Sequence, residues 1–567
     1  MNVLENTGDK PIPKGLLILL ALLATLAGPF LLQSADSTAP AKYDRRLVIL
    51  SPHNERVRKE IGHAFAKSWK ARTGELLYLD WRIPGGASEI AMFLKSEFSG
   101  AFQYYWQRVL ARTWNNEVAT AFASPRISPV HDAGATIGMA DEARRTFLES
   151  EVGIGVDLLF GGGSYDFEQH ADAGFLVAQT RDKQFGLAAV MTRHPEWFTD
   201  RVIPENVSGE PFRDKEARWA GVVLASFGIV YNRDVLKRLG VGREPAEWKD
   251  LGDPRLVGQL ALSDPTKSGS VAKAFELIIQ QQMHEAVSKA QAHRALAMTP
   301  REVEAEGVRQ GWETGLELIQ RISANARYFT DSASKIPLEV SRGDATAGMA
   351  IDSYGRATEE YVRRSDGWSR VGFIAPKGGT SVSVDPIGMI RGSPDPELAT
   401  AFIEFVLSPE GQKLWAYRPG TPGGPIDTAL RRLPVRKDFY TAENRRYMAD
   451  GDEQPYAKAE SFVYRPDWTG PVFGAIRFLI RVMCAETHHE QKRAWRALID
   501  SGFPPQALAV FHDLSRVSYD EALSTISTVL RGKDKVQEVR LARQLADTFR
   551  AQYRHAYELA VEGAQRP

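Results

Sequence analysis

A strand–loop–helix–strand order at residues 46–82, repeated along the chain, limits the folds open to this sequence more than any other feature. Arg46 to Ser51 (RLVILS) is an apolar run of strand length, followed by the polar turn Ser51-Pro52-His53-Asn54-Glu55. Val57, Ile61, Ala64, Phe65 and Trp69 then recur at three- and four-residue spacing, which predicts an amphipathic helix closed by Gly74. LLYLDWRI reads as a second strand. A unit of this kind buries its strands in a parallel sheet with helices on its faces, so the predicted class is α/β.

The order returns downstream. GIGVDLLFGGG is a strand running into a glycine turn, and SYDFEQHADAG starts the next helix. VVLASFGIVYN is a long β-rich stretch, and Gln259 to Leu262 form a strand before DPTKSGS, which caps a helix from Val271. TAGMAIDSYGR and VSVDPIGMIRG each read as strand and loop, and DPELATAFIEFVLSPEGQKLW closes with an amphipathic helix. Residues 472–567 carry helical periodicity with breaks near Gly502–Pro505 and Gly532. With 567 residues, more than one compact core is expected.

Near the N-terminus, Gly15 to Leu32 is an apolar run of about 18 residues preceded by Lys10 and Lys14. It reads as a secretory signal or as an uncleaved membrane anchor, and both place the remainder outside the cytoplasm. Lys plus Arg and Asp plus Glu both number 71, so nothing global favours nucleic acid as a partner. The single cysteine, Cys484, excludes an internal disulfide and reads as a buried, inert thiol. No HExxH, GxSxG or CxxC occurs. Ser332 to Lys335 match SxxK without companion motifs, and His488-His489 reads as a solvated pair, so no catalytic residues are assigned and no cofactor is expected.

Six segments taken together resemble the bacterial solute-binding proteins of the type 2 periplasmic fold, in the branch of ferric-ion, thiamine and phosphonate receptors. They are LVILSPHNERVRKEIGHAFAKSW, DLLFGGGSYDFEQHADAGF, ASFGIVYNRDVLKRLGV, EWKDLGDPRLVGQLALSDPTKSGS, MAIDSYGR and FIEFVLSPEGQKLW, in the family's order over roughly residues 45–420. The resemblance implies two α/β lobes closing over a ligand at their interface. It suggests residues 1–43 as leader or anchor and linker, 44–222 as lobe one, 223–372 as lobe two, 373–425 as the return to lobe one, and 426–567 as a mainly helical C-terminal extension. It implies a small anionic or metal ligand, ferric ion among them, and the membrane subunits of an ABC importer as partners, in the periplasm or otherwise outside the cytoplasm.

Candidate ligand contacts follow from chemistry and from this layout. Ser51 and His53 stand at a helix start, where amides attract anions. Gly162, Gly163 and Ser164 form a glycine turn that lets backbone approach a ligand, and Ser268, Gly269 and Ser270 form a second helix start. Ser226 lies in the expected hinge strand. Asp352 and Tyr354 fall where ferric-ion receptors carry adjacent tyrosines; here the tandem pair is absent, and a metal would take His53, Asp352 and Tyr354 instead. A membrane-tethered sensor or scaffold on the same fold is the alternative, motivated by the apolar N-terminal run and the long helical tail.

Overall fold

The computed structural model describes residues 42–127, 138–292, 298–532 and 534–564. The apolar run expected to be a leader or anchor lies outside them.

The sequence-predicted first unit forms as β1 (Arg45–Leu50), α1 (Glu55–Thr73) and β2 (Leu77–Arg82), with the strands parallel. Asn54 caps α1 by accepting from the Val57 amide at 3.1 Å, and Gly74 ends the helix in the left-handed region at φ +82°. Val57, Ile61, Phe65 and Trp69 are its buried face. Helix α2 (Ala87–Tyr104), strand β3 (Leu158–Phe160) and helix α3 (Ser164–Ala173) follow.

The long β-rich stretch is one strand, β4 (Ala220–Asn232), and it serves both halves of the molecule. Next come β5 (Leu260–Ser263), α4 (Gly269–Ala292), α5 (Pro300–Ala324), β6 (Ala326–Thr330), β7 (Ala347–Ile351), α6 (Asp352–Tyr361), β8 (Val371–Ile374) and β9 (Val382–Ile390). Strand order is β2-β1-β3-β9-β4-β7-β5-β6. Ala220 to Ser226 pair antiparallel with β9, whereas Phe227 to Tyr231 pair antiparallel with β7. The two lobes therefore meet along a continuous backbone at Ser226/Phe227.

Two hydrophobic cores correspond to the lobes. The first runs from Leu47 to Leu224 and resumes from Val382 to Ala459; the second runs from Phe227 to Val371 and resumes from Phe462 to Ala560. The expected extension at 426–567 is thus divided between the lobes. Leu433, Val435 and Phe439 pack into lobe one, and Leu433-Pro434 pairs with β4. The remainder, including α7 (Phe473–Ile480), α8 (His488–Asp500) and α9 (Lys535–Ala564), is part of lobe two. Trp312 donates to the Val517 carbonyl at 2.8 Å and Gln320 to the Tyr553 hydroxyl at 3.1 Å, so buried polar groups on α5 are satisfied only by this tail. The stretch Pro466–Ala485 is long and apolar enough to cross a membrane, yet Ile476, Leu479, Val482 and Met483 lie fully inside the lobe-two core.

Helices α4 and α5 pack at unusually close range. A Cβ added at Gly307, Gly311 or Gly315 would stand 2.6, 2.2 or 2.9 Å from the Cα of Val287, Met283 or Ile279. The four-residue spacing puts all three glycines on one face, which lets the two backbones approach. Cys484 is buried beside them in the same core, and burial pushes its thiol up to about 11. The predicted solvated histidine pair is half right. His489 is exposed, but His488 faces the Ser323 carbonyl at 3.1 Å and the Phe329 ring at 5.2 Å, and burial lowers its pKa to about 4.

Candidate functional site

A cleft of about 800 Å³ lies between the lobes. It is built from the carboxyl ends of strands and the turns that follow them, the usual location of ligand sites in such sheets. Lobe one contributes the β1–α1 turn with His53, the β2–α2 turn at Gly85-Gly86, and the β3–α3 turn with Gly162, Gly163 and Ser164. Lobe two contributes Ser268, Gly269 and Ser270 at the start of α4, and Tyr354 after β7. These sequence-predicted residues share one crevice.

His53 is 7% exposed and lies edge-on to Phe160, with ring centroids 4.7 Å apart. A Cβ on Gly161, whose φ is +90°, would stand 2.4 Å from its Nε2, so the ring rests directly on the glycine backbone. That nitrogen is buried and has no hydrogen-bond partner. Burial, followed by the Arg432 and Arg58 charges, holds its pKa well below the ordinary histidine value, leaving a neutral imidazole. Arg58, one turn into α1, also lines the cleft. Among the described residues its guanidinium has no ion pair, its Nε is buried without a partner, and burial lowers its pKa. Arg432 is different, because it donates to Asp385 at 2.6 Å.

Three predicted contacts are placed elsewhere. The Ser51 hydroxyl donates to the Phe160 carbonyl at 2.7 Å and accepts from the His53 amide at 3.1 Å, so it braces the turn and offers nothing to a ligand. Ser226 falls between Ala225 and Phe227, which line the cleft; strand alternation turns its side chain to a separate cavity of about 630 Å³. Asp352 is 1% exposed and accepts from Arg356 at 2.9 Å, lining that same second cavity. The expected metal set of His53, Asp352 and Tyr354 is therefore not assembled. Among the described residues no three His, Cys, Asp or Glu side chains gather to hold a metal.

The cleft also holds groups that sequence reasoning missed. Lys273 on α4 lies 2.9 Å from Glu210 of lobe one and 3.0 Å from Glu276 of its own helix, with its Nζ 3.4 Å from the centroid of the Tyr464 ring. Tyr464 donates to Glu276 at 2.8 Å, and Thr469 does so as well; Ser381 donates to Glu210. Burial opposes the Lys273 ammonium, but the two carboxylates outweigh it and raise its pKa, while burial raises that of Glu210. Tyr464 and Phe473 bring the C-terminal region into the cleft wall.

Arg477 on α7 then bridges the lobes. It donates to the Pro265 and Thr266 carbonyls of lobe two at 3.0 Å each, and to the Ser88 hydroxyl of lobe one at 3.0 Å. Asp166 of lobe one lies 3.8 Å away, and the Tyr165 and Phe473 rings stand 4.5 Å apart beside it. Arg477→Ala is expected to speed amide hydrogen exchange across residues 86–90 and 264–270 by at least about tenfold, from loss of charge-assisted bonds worth ~1.5–3 kcal/mol. Unchanged exchange would mean that the bridge adds nothing to closure.

Comparison with known proteins places residues 196–439 in a match to the family of bacterial extracellular solute-binding proteins. An uncharacterised protein of Haemophilus influenzae is 22% identical over 205 residues, covering 36% of this chain and 49% of that protein. The phosphoglycerate transport regulatory protein PgtC of Salmonella typhimurium is 24% identical over 195 residues, covering 34% of this chain and 40% of that protein. The chain thus spans about half the length, or less, of these curated relatives. Among solved structures, the periplasmic binding protein AfuA of Actinobacillus pleuropneumoniae, with fructose-6-phosphate bound, is 15% identical. That match covers 76% of this chain and 99% of that one, with a TM-score of 0.42.

Proposed function

We propose that this chain, matched to the extracellular solute-binding family through the segment that builds its hinge and second lobe, is an extracytoplasmic receptor for a small anion. It acts by trapping its ligand between the lobes, not by turnover, and hands it to the membrane subunits of an ABC importer. The observation that carries this reading is the Arg58 guanidinium, which lines the interlobe cleft and forms no ion pair among the described residues, Glu55 being the acid that acts on it from a distance.

The same cleft, which carboxylates such as Asp166 and Asp385 also line, holds groups suited to anionic oxygen. The α3 start at Gly163 has no side-chain cap, so its first amides are free to donate. The Ser268 and Ser270 hydroxyls hydrogen-bond to each other at 3.2 Å at the α4 start, which leaves one proton of the pair to donate to a ligand oxygen. Neutral His53 supplies a ring nitrogen that can donate or accept. Phosphate esters and phosphonates match this donor-rich set, and the name of the Salmonella relative, a phosphoglycerate transport regulatory protein, points to the same chemistry. A ferric ion, by contrast, would need hard anionic donors close to His53 and Tyr354, and Asp352 is already ion-paired to Arg356.

Thermal-shift screening against phosphoglycerate, glycerol phosphate, fructose 6-phosphate, a phosphonate, ferric citrate and thiamine tests the reading. An anion is expected to stabilise the protein, and Arg58→Ala to weaken its binding by at least about a hundredfold, as for loss of one partner of a buried charged contact. Stabilisation by no anion, or equal affinity in the Arg58 variant, would refute it.

The sensor reading rests on a different observation, that Arg477 ties both lobes to the C-terminal helices. A protein of this build could report closure to a membrane partner through that region, and tethering by the N-terminal apolar run would suit the task. A ligand-dependent change in hydrogen exchange over 535–564 would favour it; its absence would leave the importer receptor alone.

A further inference from the structure

Outside the cleft, a groove of about 570 Å³ runs between α8 and the C-terminal part of α9. Its two walls differ sharply. Lys492, Arg493 and Arg496 of α8 line one side, while Tyr557, Ala560 and Val561 of α9 line the other, with Val257 beside them. Arg493 is held over the Tyr557 ring at 4.1 Å, which orders its guanidinium. Among the described residues, Lys492, Arg493 and Arg496 form no ion pair. The Lys492 ammonium donates only to the Arg327 carbonyl at 3.3 Å, and its pKa is lowered by burial and then by the Arg496 and Arg327 charges.

Equal numbers of basic and acidic residues, 71 each, mean that this excess is local and not a reflection of a basic chain. Asp500 is the acid that lines the groove, and Glu490 on the same helix turns to Arg554 at 3.1 Å. Three cations crowded along one wall, with Asp500 the acid of the groove and in no ion pair with them among the described residues, repel one another unless an anion joins them.

We propose that this groove is a docking site for an acidic segment of a partner polypeptide carrying an aromatic or aliphatic side chain. Guanidinium forks pair with carboxylates in two parallel bonds, and the apolar wall of α9 accepts the side chain between them. A concave groove walled on one side by a neighbouring helix, with Lys492 half-buried in it and Arg493 and Arg496 exposed along it, fits an extended chain better than a flat lipid surface. None of its residues lines the interlobe cleft, so docking and ligand capture use separate surfaces.

Fluorescence anisotropy with a labelled peptide alternating glutamate and phenylalanine, titrated with the full chain, tests this. Saturable binding is expected. It should weaken at least about tenfold in Lys492→Gln/Arg496→Gln and further in Lys492→Glu/Arg496→Glu, fall with added salt, and stay unchanged in Arg58→Ala. Retained melting temperature in the glutamine variant separates lost docking from lost folding. Equal binding by the charge-altered variants, no saturable binding, or capture by phosphatidylglycerol vesicles without peptide binding would overturn the proposal.

Discussion

Lys273→Met is expected to destabilise the folded protein by about 3–5 kcal/mol, the cost of removing one member of a buried ionic cluster. Lys273 is the only cation between Glu210 and Glu276 among their described contacts, and both carboxylates are almost fully buried. Without it, two negative charges face each other across the lobe boundary with only hydroxyl donors from Ser381, Thr469 and Tyr464. One carboxylate must then take up a proton or the lobes must part. Urea denaturation of the variant measures the loss, and adding Glu210→Gln should recover part of it because the repulsion is relieved. A loss under about 1 kcal/mol would show that the ammonium is dispensable and the carboxylates are already neutral.

Gly311→Leu is expected to cost at least about 3 kcal/mol and to lower Tm by roughly 6–12 °C. Its Cβ would meet the Met283 Cα at 2.2 Å and the Met283 nitrogen at 2.5 Å, so the clash is with backbone that cannot rotate away. Helix α5 must move off α4, opening the interior beside Trp312 and Ile279. Gly474→Ala is the internal control. It lies in a helix with nothing within 4 Å of the added methyl, so it should leave Tm unchanged or raise it slightly. Equal melting of the Gly311 variant and the parent would show that the helix pair adjusts freely.

Much of the framework was legible because local pattern and final burial agree. In α1 the three- and four-residue spacing of Val57, Ile61, Phe65 and Trp69 is itself the buried face, and β4 reads as β-rich along its whole length. The helix-start turns at Gly162–Ser164 and Ser268–Ser270 were legible for a similar reason: small and hydroxyl-bearing residues after a strand mark where amides are exposed. Asp352 misled because its position after a strand was weighed and its Arg356 neighbour, one helical turn on, was not. Arg58 was hidden on the polar face of α1, although one turn beyond a capped helix start is within reach of a ligand at that end. The spacing of Gly307, Gly311 and Gly315 carried a packing signal that hydrophobic periodicity alone does not register. Glu210, Lys273 and Tyr464 had no local signal, since they meet only when segments far apart in sequence close on each other.

The late arrival of Phe549, Tyr553 and Ala560 in the interior of lobe two has a consequence for biogenesis. At about 5–20 residues per second of synthesis, the sheet of that lobe waits roughly 10–40 s for its last packing partners to emerge. During that interval Trp312 and Gln320 lack the Val517 and Tyr553 groups that satisfy them. Lobe one, its core complete once residue 459 has emerged, matures first, and the nascent second lobe must be shielded from self-association until Ala560 has emerged.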